Sequence, residues 1–283
     1  MISDKATNTI YFSDCLHKSY PDTQKKIMEV LKAFGTEPLF LPKTKDIWAR
    51  DFMPIQVTKD KFVEFRFDPD YLQGTTFERR EVKTYPDIVC DTIDLKTVKS
   101  DIILDGGNVV KSSDTVILTD KIIEENKRDY TKTKLLDKLH ELFEVELVIL
   151  IPWDRECDYG HADGMLRFIN DDTVLISGFY NTTEDNWRGR IVKPLKQANL
   201  ECEWLMVSDK EEQEQNVAYV NFLQTSSLIL LPKLNRKEDD IALEQIAKFY
   251  PEYASNKRIA QIDMTPIEKK GGALNCISWT IKK

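Results

Sequence analysis

The sequence predicts a closed α/β ring of five similar ββαβ units. Three observations predict it. Five short segments recur at near-even spacing, one order of elements recurs between them, and the two chain ends supply complementary parts of a single unit. The segments are Trp48-Ala49-Arg50-Asp51, Asp105-Gly106-Gly107-Asn108, Gly160-His161-Ala162-Asp163-Gly164, Val220-Asn221-Phe222 and Leu274-Asn275-Cys276-Ile277. Counting through Asp51, Asp105, His161, Asn221 and Cys276 gives steps of 54, 56, 60 and 55 residues. A period of this size marks one supersecondary unit used repeatedly. Such units set round an axis bring equivalent strand ends to one place.

The elements follow in order. Asn8 to Ser13 reads as a strand, and Asp22 to Phe34 as a helix with Ile27, Val30, Leu31 and Phe34 on one face. Glu37 to Leu41 is a strand. The unit holding Asp51 has a hairpin at Lys59-Asp60-Lys61 but a poor helix, and polar residues from Asp68 to Arg80 read as an irregular loop. Next, Ile102 to Leu104 forms an apolar strand running into Asp105-Gly106-Gly107. A hairpin turns at Lys111-Ser112-Ser113-Asp114 into the strand Thr115 to Leu118. Leu135, Leu136, Leu139, Leu142 and Phe143 then fall at helical spacing before a strand from Val145 to Ile151.

The following unit repeats this order with a strand Met165 to Ile169, a turn at Asn170-Asp171-Asp172 and a strand Thr173 to Ser177. Its helix lies around Arg190 to Asn199 and its last strand at Cys202 to Val207. The next has strands Tyr219 to Leu223 and Ser227 to Leu231, a helix Asp240 to Tyr250 and a strand Arg258 to Ile262. The unit that begins at Leu274 stops at Lys283 after one strand, so the N-terminal elements complete it. One domain over residues 1–283 is expected, with its first and last segments sharing a unit.

Composition narrows the function. No run approaches the roughly 20 apolar residues of a membrane span. Met1 to Phe12 lacks the apolar stretch of a signal peptide, so export is not expected. The five cysteines (Cys15, Cys90, Cys157, Cys202 and Cys276) are scattered and odd in number, which fits a reducing cytoplasm and no disulfide framework. The net charge of −8 argues against a nucleic-acid partner and suits a cationic substrate.

Cys276 follows Gly271-Gly272, and glycines let backbone come close to a ligand. Taken alone it would be a small buried hydrophobe. His161 and Asp163, two residues apart at the start of an expected strand, would point to one side. Cys157, four residues upstream, raises zinc, but structural zinc needs four close ligands. The other histidines, His17 and His140, lie in unrelated segments, His140 on a helix surface. Asp51 beside Arg50 would by itself be a surface ion pair. Trp48 alone would be core, Asp105-Gly106-Gly107 a turn and Asn221 a structural strand residue. Their shared phase in the repeat makes them a candidate site.

Trp48-Ala49-Arg50-Asp51 with Pro54, Asp105-Gly106-Gly107-Asn108, Gly160-His161-x-Asp163, Asn216 to Pro232 and the terminal Gly-Gly-x-x-x-Cys together resemble the agmatine deiminase and bacterial peptidylarginine deiminase family. The resemblance runs from Trp48 to Trp279. It implies the pentein fold, a five-bladed α/β propeller of ββαβ units with pseudo-fivefold symmetry. It implies Cys276 as nucleophile and His161 as general acid and base. It also implies Asp51 and Asp163 as catalytic guanidinium ligands, Asp105 as an acid that contacts substrate and Trp48 as a pocket wall. It implies no metal and no organic cofactor.

Two positions depart from the family pattern. Asn275 stands where agmatine deiminases usually carry histidine, and Met53 where they usually carry glycine. The expected activity is hydrolysis of a small cationic guanidine to a ureido compound and ammonia through a cysteine thiouronium. An amidinotransferase and a non-catalytic binding ring are the alternatives. Arg155, Arg167 and Arg188 are the cations available for a substrate carboxylate.

Overall fold

The computed structural model describes residues 1–73, 81–182, 186–207 and 218–283. Its strands form five three-stranded sheets of one pattern. In the first sheet, β1 (Thr9–Ser13) pairs in parallel with β2 (Leu39–Leu41) and antiparallel with the last strand, β15 (Ser278–Ile281). The second holds β3 (Ile55–Gln56), β4 (Phe62–Arg66) and β5 (Val98–Ile103). The third holds β6 (Val110–Lys111), β7 (Thr115–Thr119) and β8 (Leu147–Ile151). The fourth holds β9 (Leu166–Asn170), β10 (Thr173–Ser177) and β11 (Glu201–Leu205). The fifth holds β12 (Leu223–Gln224), β13 (Ile229–Lys233) and β14 (Ile259–Asp263). The middle strand is always antiparallel to one neighbour and parallel to the other.

A parallel pair needs a long crossover, and a helix supplies it in each blade. These helices are α1 (Pro21–Ala33), α2 (Pro86–Thr92), α3 (Lys132–Phe143), α4 (Trp187–Gln197) and α5 (Glu238–Phe249). Their ends follow local chemistry. Proline opens α1 and α2, where its missing N–H costs nothing. The Thr131 hydroxyl accepts from the Lys134 N–H to cap α3, which ends at Glu144 in the left-handed region. Glu238, Asp239 and Asp240 face the positive end of α5.

The core lies between blades. Ile10 and Phe12 of β1 share one cluster with Leu230, Leu231 and Ile246 of the fifth blade. Val63 and Ile102 of the second blade pack with Val116, Leu118 and Leu139 of the third. Ile117 and Ile149 of the third pack with Leu166, Val174 and Ile191 of the fourth. Every residue of β7 is buried, as a strand covered on both faces requires. The ring therefore coheres through its seams.

The five-unit ββαβ expectation agrees with these sheets, and Thr173–Ser177 falls where the sequence places it. Several details differ. The second blade has a helix after all, α2, with Val89 and Cys90 buried; seven residues are too few to show a period. Ile102 and Ile103 end the second blade and do not begin the third. The strand expected from Tyr219 is only Leu223–Gln224, because Ala218–Val220 is a 3₁₀ turn. Most of the loop expected to end at Arg80, and Asn216 and Val217 of the family motif, lie outside the described residues.

Trp279 of β15 closes the seam between the first and second blades. It packs 5.0 Å from Tyr11 and 6.2 Å from Phe62 between ring centres, and its Nε1 donates to Pro54 O at 2.8 Å. Trp279→Ala is expected to lower stability by about 3–5 kcal/mol, read by urea unfolding.

Candidate active site

Each candidate residue sits just before the first strand of its blade. Asp51 precedes β3, Asp105 precedes β6, His161 precedes β9, Asn221 precedes β12 and Cys276 precedes β15. Asp105 and His161 share nearly one backbone conformation, φ −87, ψ 138 and φ −86, ψ 137, each capping a 3₁₀ turn. The 54- to 60-residue phase is thus the phase of the blade mouths.

The mouths are tied to one another. The Cys276 N–H donates to Asn221 Oδ1 at 3.2 Å, and Cys276 O accepts from the Arg50 N–H at 3.0 Å. Asn108 Oδ1 accepts from the Ala162 N–H at 3.3 Å, and Asn221 Nδ2 donates to Asp163 O at 3.4 Å. Glycine permits the closest approaches. A Cβ on Gly107 would lie 2.5 Å from both Asp51 Oδ1 and His161 Nδ1, and one on Gly272 would lie 2.5 Å from Trp48 Cζ3.

His161 is held between two carboxylates. Its Nε2 lies 2.9 Å from Asp105 Oδ2 and its Nδ1 lies 3.6 Å from Asp51 Oδ1. Burial pushes the imidazole down, but Asp51, Asp105 and Asp163 outweigh it and raise its pKa to about 10. The ring is therefore an imidazolium at neutral pH. Burial also pushes the Asp51 carboxyl well up, helped by Asp105 and Asp163 and opposed by His161. Burial, then Asp163 and Asp51, push the Cys276 thiol up as well. The thiol donates to Asn221 Oδ1 at 3.3 Å. Asp163 Oδ2 stands 3.7 Å from Sγ.

Asp51 Oδ1 and Asp105 Oδ1 are buried with no hydrogen-bond partner among the described residues. Buried polar atoms are normally satisfied, so the Asp51 oxygen, which has only the 3.6 Å approach of His161 Nδ1, has room for a further donor. A cavity of about 360 Å³ opens here, lined by Trp48, Asp51, Tyr71, Tyr159, His161 and Cys276, among others. A second, of about 400 Å³, reaches His161 and Cys276 past Tyr159 and includes Asp163 and Asn221.

Trp48, Asp51, Asp105, His161, Asp163 and Cys276 are thus gathered, with corrections to detail. His161 and Asp163 do not alternate on a strand; they flank Ala162 at a 3₁₀ turn, Ala162–Gly164. His161 caps this turn in extended backbone and meets Asp105, while Asp163 within the turn meets the thiol and Asn275. Arg50 is not at the surface beside Asp51: it is 4% exposed and donates to Asn275. None of the three arginines lines either cavity. Arg167 pairs with Asp4 at 2.7 Å, while Arg155 lies over Trp153 and Arg188 over Trp204. His140 is half-buried, with Nδ1 3.2 Å from Val145 O. No group of three metal-binding side chains is present among the described residues, and no described helix is long and apolar enough to cross a membrane.

Tyr71 is the residue that sequence reasoning missed. Its hydroxyl donates to Asp105 Oδ2 at 2.8 Å, the oxygen that also meets His161. It lies off the repeat, in the turn Asp70–Leu72 after β4, so no periodic signal marks it. Lys121 pins this wall: it pairs with Asp70 at 2.9 Å and donates to Tyr159 O at 2.9 Å.

The model of the Porphyromonas-type peptidyl-arginine deiminases matches residues 12–281. The chain belongs to that family. A protein of Mycoplasma mycoides subsp. mycoides provisionally named agmatine deiminase is 25% identical over 274 residues, covering 82% of this chain and 74% of its own. The structure of C. jejuni agmatine deiminase is similar with a TM-score of 0.75 at 18% identity, covering 100% of this chain and 95% of that one. DDAH from Pseudomonas aeruginosa, solved with citrulline, reaches 0.59 at 12% identity, covering 97% and 99%. These likenesses establish the pentein propeller.

The charge on His161 is directly measurable, since the chain has three histidines. Its imidazole proton resonance is expected to stay in the protonated position through pH 8, and to titrate lower in Asp105→Asn. The stabilisation its carboxylate neighbours provide is complete below the unfolded value of about 6.5 and is lost as pH rises through about 10.

Proposed function

We propose that this protein hydrolyses a small guanidine compound, releasing ammonia and a ureido product. The observation that carries this reading is one pocket lined by Asp51, a charged His161 and Cys276, in which a buried oxygen of Asp51 accepts no hydrogen bond. A guanidinium is planar, permanently charged and rich in N–H donors, so it suits such acceptors. Membership of the deiminase family and the naming of its relatives support the same class.

In this reading Asp51 and Asp163 grip the guanidinium while Trp48 lines the pocket. The cation offsets the carboxylates that raise the thiol, so the Cys276 thiolate becomes accessible as substrate binds. The thiolate attacks the central carbon and forms a C–S bond. His161, already an imidazolium, gives its proton to a departing nitrogen, the C–N bond breaks and ammonia leaves. A thiouronium remains on Sγ. The neutral imidazole then takes one proton from water, whose oxygen attacks the same carbon; the C–S bond breaks to return the thiolate, and the second proton leaves to solvent as the ureido compound is released. Asp105 orients the ring through Nε2 and would touch substrate through its free oxygen.

The test is ammonia and ureido formation from agmatine, arginine, methylated arginines and an arginine-terminated peptide. Cys276→Ala is expected to lose roughly 10⁴-fold or more in turnover. Asp51→Asn is expected to lose about ten- to a hundredfold in kcat/KM, the effect of one charged hydrogen bond. Full activity in Cys276→Ala would end this reading. A new guanidine formed from an added amine, with no ureido product, would replace it with amidino transfer.

A further inference from the structure

Asn275 is fully engaged and 3% exposed, yet the mechanism above gives it no part. Its Nδ2 donates to Asp163 Oδ2 at 2.6 Å. Its Oδ1 accepts from Arg50 Nη2 at 3.0 Å. Its backbone N–H donates to Asn221 O and Oδ1, both at 3.1 Å, and its carbonyl accepts from Arg50 Nε at 3.4 Å. The amide orientation is fixed by chemistry, because a guanidinium only donates and a carboxylate only accepts.

Arg50 is buried and makes no ion pair among the described residues, although a buried charge ordinarily needs a partner. Its side chain donates to the amide and the carbonyl of Asn275 and more weakly to Thr280 Oγ1 at 3.5 Å, and it feels the buried Asp4 only through space. A cation on the amide oxygen draws electron density from the amide nitrogen and strengthens its donation. The column Arg50–Asn275–Asp163 therefore delivers positive character to the carboxylate that stands 3.7 Å from the thiol.

We infer that Asn275, backed by Arg50, is a positioning residue that fixes the direction of Asp163 towards Cys276 and the bound guanidinium. This inference rests on the proposed role of Asp163 as a substrate ligand. It also accounts for the departure in the motif. A neutral imidazole accepts at one ring nitrogen and donates at the other. The histidine usual in agmatine deiminases would therefore fit the same slot, accepting from Arg50 and donating to Asp163.

Two measurements on Asn275→Leu and Asn275→His test it. The first is alkylation of Cys276 by iodoacetamide against pH, read on the Cys276 peptide by mass spectrometry with no substrate present. Leucine removes the donor, so Asp163 is free to turn away from the thiol, and the alkylation midpoint is expected to fall. Histidine is expected to return it. The second is steady-state kinetics on whichever guanidine is turned over. Leucine is expected to raise KM about ten- to a hundredfold, with a smaller change in kcat, and histidine to restore it.

If Asn275→Leu does not fold by circular dichroism, Asn275→Asp replaces it. That variant keeps an acceptor for Arg50, loses the donor and is expected to raise KM at least as far. A leucine variant with wild-type midpoint and KM, or a histidine variant as impaired as leucine, overturns the inference. If no guanidine is turned over, the proposed function fails while the alkylation profile still decides the role of Asn275.

Discussion

The short polar bonds between neighbouring blade mouths are the constraint on which everything else rests. Apolar seams hold the blades side by side, but the hydrophobic effect has no direction and cannot fix a reacting atom. Direction comes from groups such as Asn221, whose one carbonyl oxygen accepts from the backbone of both Asn275 and Cys276. Cys276 O in turn holds the Arg50 N–H and so the segment carrying Asp51. The thiol is placed by a strand of the first blade, an amide of the fifth and a backbone donor of the second.

That arrangement concentrates charge of one sign. Asp51, Asp105 and Asp163 share a small buried volume with one imidazole, and the protein relieves the crowding in two ways. Tyr71 and His161 both bind one oxygen of Asp105. Asn275 carries the influence of Arg50 to Asp163 without bringing a second charge into the pocket. Within this cluster, one oxygen each of Asp51 and Asp105 is left without a hydrogen bond.

Much of this was legible in one dimension, for a definite reason. A closed ring of equal blades converts sequence period into spatial coincidence, so Asp51, Asp105, His161 and Cys276 announce their meeting by spacing alone. The β7 and α3 patterns are read easily because long apolar periods survive without tertiary context. What escaped was short or aperiodic. The seven residues of α2 are fewer than two full turns, about 3.6 residues each. The 3₁₀ turns at the mouths imitate strand starts in sequence, which misdirected Asp163. Tyr71 enters from a connecting turn, and Arg50 is buried through partners some 225 residues away.

The raised Asp51 carboxyl and Cys276 thiol have one more consequence. Burial and the neighbouring carboxylates make ionisation of either group costlier than in water. A cation arriving between them favours the ionised form, so the ligand and the proton compete for the same electrostatic niche. If a cation binds as proposed, its entry would draw hydrogen ions out to solvent, and the binding heat would carry the ionisation enthalpy of the buffer.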